Sequence, residues 1–176
     1  GGSTTTIYAL TNPPTGQNAL NVRWQGTLSW DSTVGAITYA GVDQDEPYGA
    51  FFGAEGTSAN AGLSLPSAAG EVVFGVVANG GSGTPGVSVT GNGTSRWVDR
   101  PSSGIAGSAQ QKSGAATVSL SWSVVNASWA VAAISLKPQR IFRTNPFEFT
   151  QTPSFCSDFI MPQGGMIAID SYVELA

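Results

Sequence analysis

The side chains in this chain that could carry chemistry are acids and indoles. Eleven Asp and Glu stand against seven Lys and Arg, and there is no His. Without His the commonest general base and metal ligand is missing. Ser-His-Asp and Cys-His sites cannot be built within the chain, nor can zinc sites of the usual His/Cys type. The Gly-rich run at 80–86 lacks the Lys-Ser/Thr ending of a phosphate-binding loop and precedes no helix. Oxygen chemistry remains. Asp43-Gln44-Asp45-Glu46 places three acids within four residues. A hard cation such as Ca²⁺ takes several carboxylates and carbonyls from one loop. This cluster is short of a full ligand loop. Asp43, Asp45 and Glu46 therefore read first as turn acids accepting backbone N–H groups and second as a weak Ca²⁺ candidate. The other acids fall mostly at turns and strand starts, so a paired-carboxylate hydrolase has little to stand on. Neither an enzyme nor a cofactor is expected.

Five Trp residues offer flat apolar faces of the kind that stack on sugar C–H groups. Trp122 is in register with core residues of its strand, and Trp24 with Leu20 and Val22. Trp30 and Trp97 lie near loops and are the candidates for glycan contact, with packing in a core or interface as the competing reading.

The elements that must position these residues are short β-prone runs bounded by Gly, Pro, Asn or Ser. Strands are expected at 6–10, 19–25, 36–40, 61–65, 71–78, 87–90, 94–98, 116–124, 128–136 and 166–175. Turns are expected at 12–16, 79–83 and 101–104. The 117–124 run alternates, with Val118, Leu120, Trp122 and Val124 on one side and Thr117, Ser119, Ser121 and Ser123 on the other. That is the pattern of a strand lying half-exposed over a core. The 71–78 and 128–136 runs do not alternate. Trp129, Val131 and Ala133 face one way and Ala130, Ala132, Ile134 and Leu136 the other, so both faces must be covered. No window has a convincing helical period. The expected fold is all-β, an antiparallel, jelly-roll-like sandwich.

Several stretches also resemble a known module. They are Ala36-Ile37-Thr38-Tyr39-Ala40-Gly41-Val42-Asp43-Gln44-Asp45-Glu46-Pro47-Tyr48-Gly49, Ser67-Ala68-Ala69-Gly70-Glu71-Val72-Val73, Gly114-Ala115-Ala116-Thr117-Val118-Ser119-Leu120-Ser121-Trp122, and Trp129-Ala130-Val131-Ala132-Ala133-Ile134-Ser135-Leu136-Lys137-Pro138. In this order they resemble the later two-thirds of a jelly-roll-like β-sandwich module of bacterial secreted and surface proteins and of phage structural proteins, over residues 6–138. The resemblance implies a sandwich displayed outside the cell and brings no catalytic residues with it. The module's opening strands have no counterpart here.

The chain changes character at Pro138. Residues 139–176 contain five of the eight Phe residues and no Lys or Arg after Arg143. The organisation expected is a β-sandwich domain at 1–138 and a Phe-rich extension at 139–176. The extension would cover the doubly apolar strands or clasp a neighbouring copy through Phe142, Phe147, Phe149, Phe155, Phe159 and Tyr172. The single Cys156 permits no intrachain disulfide and reads as a small hydrophobe. Charged residues make up 10% of the chain, where about 25% is usual. A neutral Ser/Thr surface repels its own copies weakly. The net charge of −4 argues against a nucleic-acid partner. No run reaches the roughly 18 apolar residues of a membrane helix. The expectation is a self-assembling structural subunit of an extracellular filament, surface layer or virion, with copies of itself as partners. The alternative is a carbohydrate-binding or adhesion module.

Overall fold

Val118, Leu120 and Trp122 are buried and Ser119 and Ser121 exposed, so the alternating run forms a one-sided strand. It belongs to a computed structural model that describes residues 3–23, 32–80, 88–90, 93–99 and 105–140. Among the described residues there are eight strands and no helix. They are β1 (Tyr48–Gly56), β2 (Asn60–Leu65), β3 (Val72–Gly80), β4 (Ser88–Thr90), β5 (Thr94–Asp99), β6 (Ile105–Ser113), β7 (Val118–Ser123) and β8 (Ser128–Leu136). The chain divides into two units, Gly1–Ile141 and Phe142–Ala176. The second unit lies outside the described residues. With it lie Cys156, the aromatic candidates from Phe142 to Tyr172 and the strand expected at 166–175.

Every strand pairing is antiparallel. A five-stranded sheet runs β1-β8-β3-β6-β5, and a three-stranded sheet runs β2-β7-β4. Strands β3 and β8 are the neighbours at the centre of the larger sheet, and their interiors are buried on both faces. Towards the small sheet, Val73, Val77, Val131, Ala133 and Trp129 meet Ala61, Leu65, Val118, Leu120 and Trp122 in the main core. Close approach is built in at Gly75, where a Cβ would sit 2.4 Å from Leu120 and 3.2 Å from the Trp122 ring.

The outer face carries a second core of Phe74, Val76, Ala109 and Ala132. Among the described residues Ile7, Ile37 and Tyr39 from the early segments and Trp97 from β5 pack on it, while the aromatic extension expected as a cover or a clasp lies outside the described residues. The described parts of the strands expected at 6–10, 19–25 and 36–40 are not strands. They are β-prone but find no ladder among the described residues. The segment at 3–7 lies over β8 instead, with Ser3 Oγ donating to Ser128 O at 2.9 Å and Thr5 Oγ1 to Ala130 O at 3.0 Å. The segment at 33–39 lies over β6, where the Tyr39 hydroxyl donates to Gln111 Oε1 at 2.7 Å. The turn expected at 12–16 is present, with Asn12 at φ 47° and Gly16 at φ 88°, both in the left-handed region. Strands β1 and β6 were not expected. The turn expected at 101–104 lies outside the described residues, as does most of the one at 79–83.

Candidate functional site

The acidic stretch forms the loop before β1. Asp43 is buried. Its Oδ1 accepts the backbone N–H of Asp45 at 2.9 Å and of Glu46 at 3.0 Å, the geometry of an Asx turn. Its Oδ2 pairs with Arg140 Nε at 3.4 Å. Glu46 Oε2 meets Arg140 Nη2 at 2.8 Å and Lys137 Nζ at 3.4 Å. Backbone bonds close the same contact: Asp43 N to Lys137 O, Lys137 N to Pro47 O and Gln139 N to Gly41 O. The two N–H donors to the carboxylate, with Arg140 and Lys137 beside it, hold the Asp43 pKa below its ordinary value. These acids thus staple the end of β8 to the start of β1. Among the described residues no three His, Cys, Asp or Glu side chains converge as a metal centre would need.

A second carboxylate does similar work nearby. Glu71 Oε2 accepts from Ser67 Oγ at 2.8 Å, from Ala68 N at 3.1 Å and from Ser135 Oγ. Burial alone would push its pKa up. The hydrogen bonds from Ser135, Ser67 and the Ala68 N–H, with Lys137, outweigh burial and hold it below the usual glutamate value.

Trp97 sits on β5 and is half-buried against the outer core. Gly35 lies so close that a Cβ there would be 2.2 Å from the indole, and at Gly107 the gap would be 3.2 Å. The ring is used in packing at both contacts. Trp30, its partner as a glycan candidate, lies outside the described residues.

The residues the sequence did not single out are Tyr48, Phe51 and Phe52. They lie on β1, which is an outermost strand of the five-stranded sheet. They are 39%, 59% and 46% exposed. A signal was present: adjacent residues in a strand point to opposite faces, so Phe51-Phe52 cannot both enter one core. Their strand is also rich in Gly, at Gly49, Gly53 and Gly56, and its register slips between Tyr48 and Phe51. Beside β1 the segment at 3–5 and residues 53–55 line a shallow groove of about 350 Å³. Further along the early segment Tyr8 is 91% and Leu10 73% exposed. No family model, curated protein or solved structure matches the chain.

Proposed function

We propose that this protein is a structural subunit that assembles with copies of itself, in an extracellular filament, a surface layer or a virion. The observation that carries the reading is β1. It is an outermost strand with only β8 paired to it among the described residues, and it exposes Tyr48, Phe51 and Phe52. An edge strand presents unpaired N–H and C=O groups, and natural proteins usually guard such edges with charge or Pro. Here Glu55 is the single charged residue in the nine of β1, and none is Pro. Large side chains on such an edge suit strand addition between subunits, with main-chain bonds for affinity and aromatic anchors for specificity. The low charge of the whole chain and the resemblance of residues 6–138 to a surface-displayed module support the same reading.

Assembly measured by light scattering, with Phe51→Lys/Phe52→Lys alongside the parent chain, tests it. The parent should grow with concentration and the double variant should stay monomeric at unchanged melting temperature. A parent chain that remains a monomer into the millimolar range overturns the proposal. Deleting 142–176 asks separately whether the aromatic extension contributes. That deletion spares Arg140 and its ion pairs, so loss of assembly with the fold intact assigns it a part in the contact.

A further inference from the structure

We infer that the interior of the sandwich holds bound water along β6, at Asn79, Ser108, Gln110 and Trp122. These four side chains are 0–1% exposed. Each has one polar atom without a hydrogen-bond partner among the described residues: Asn79 Oδ1, Ser108 Oγ, Gln110 Oε1 and Trp122 Nε1. Buried polar atoms in native proteins are paired, with protein or with ordered water, in the great majority of cases.

The four belong to neighbouring places in the fold. The β3–β6 ladder sets Asn79 opposite Ala106, Val77 opposite Ser108 and Gly75 opposite Gln110. Ser108 and Gln110 are two residues apart and so share a face of β6, the face from which Gln110 reaches β7. The Trp122 ring from β7 lies over Gly75, where a Cβ would be 3.2 Å away. The orphans therefore occupy successive rows between the sheets.

Turning an amide over does not satisfy them. Asn79 Nδ2 donates to Val125 O and Ser128 O, both at 3.3 Å. Gln110 Nε2 donates to Ser121 O at 3.0 Å. Each NH₂ end already faces carbonyl oxygen, so a flip would set oxygen against oxygen and leave Oδ1 and Oε1 as the unmet ends all the same. The unmet set is mixed: two acceptors, one obligate donor in the indole N–H, and a hydroxyl that serves as either. A cation would suit the amide oxygens and be repelled by the indole N–H, and an anion the reverse. Water donates twice and accepts twice, so it meets both kinds without bringing a charge into the core. A buried water makes about three hydrogen bonds, and same-face residues two apart on a strand are roughly 6.6 Å from each other, so a short row of molecules rather than a single one would meet the four atoms.

Water-to-protein NOE spectroscopy on the full chain reads this directly. Cross-peaks of the sign given by long-lived bound water are expected at the Trp122 indole proton and the Gln110 side-chain amide protons. A crystal structure at about 1.5 Å should place ordered water within hydrogen-bond distance of Gln110 Oε1 and of at least one of the other three atoms. Ser108→Ala, which removes only a hydroxyl, should weaken the cross-peak at Gln110 if it folds; the parent chain alone decides if it does not. Absence of water cross-peaks at both groups, or density showing the four atoms dry or paired directly with protein, overturns the inference.

Discussion

One carboxylate at Asp43 serves both a turn and an ion pair, and the two roles can be separated. Asn keeps an oxygen for the N–H groups of Asp45 and Glu46 but loses the charge that meets Arg140. Ala loses both. Melting temperatures should fall in the order parent, Asp43→Asn, Asp43→Ala, and equal losses in the two variants would assign everything to the charge. Acidity probes the same residue along with Glu71. Both pKa values are depressed in the folded chain. On acidification the unfolded state therefore takes up protons first. The stability these groups contribute is present above the ordinary carboxylate range, about pH 4, and is lost as pH falls through the depressed folded values. Glu71→Gln should flatten the fall of melting temperature with pH in that window, as thermal scans between neutral pH and pH 3 would record. At Gly75 the constraint is steric. Gly75→Val places its extra carbons against Leu120 and Trp122, and overpacking of this kind costs about 1–3 kcal/mol, measurable by denaturant titration. Asp43 was legible in the sequence as a turn acid because an Asx turn is local. Its pairing with Arg140 was not, since that joins loops far apart in the chain.

Between elements, legibility followed side-chain pattern. Strand β7 could be read because one face is wet, and β3 and β8 were readable as covered on both faces. Strand β6 was missed because Ser108, Gln110, Gln111 and Lys112 look like surface residues. The fold gives several of them acceptors: Gln110 bonds to Ser121 O, and Lys112 Nζ to Ser119 O at 2.9 Å. Strand β1 was missed because its Gly residues and paired Phe break alternation. The segments at 6–10 and 36–40 err the other way. Their composition fits extended chain, but a strand also needs a neighbouring ladder, which composition cannot supply. They act as straps, and this role can be measured. Removing residues 1–10 takes Ile7 off Phe74, Val76, Ala109 and Ala132. The shortened chain should melt lower and bind a hydrophobic dye in its native state. Unchanged melting and no dye binding would mean the strap covers nothing of consequence. Tyr39→Phe, which keeps the ring against Phe74 and deletes the bond to Gln111, should cost only about 0.5–1.5 kcal/mol.

For the whole molecule, net charge and surface character decide how copies would meet. At −4 over 176 residues, mutual repulsion is weak. Two of the contacts that the described surface offers respond differently to salt. One is the aromatic edge of β1, apolar apart from Glu55. The other is the partly exposed ion-pair group of Arg140, Lys137 and Glu46, which could exchange partners between copies. Salt separates them. At 1 M the Debye length is about 3 Å, so exposed ion pairs are largely screened, whereas apolar burial and main-chain strand pairing are little affected. If β1 makes the contact, particle size at a fixed protein concentration should be the same or larger in 1 M NaCl than in 0.1 M. Glu46→Gln should leave assembly unchanged in both. Dissociation at high salt, or loss of assembly in Glu46→Gln with the fold intact, would move the contact from the aromatic edge to the charged loop. The Phe51→Lys/Phe52→Lys variant would then assemble like the parent, so the two measurements check each other.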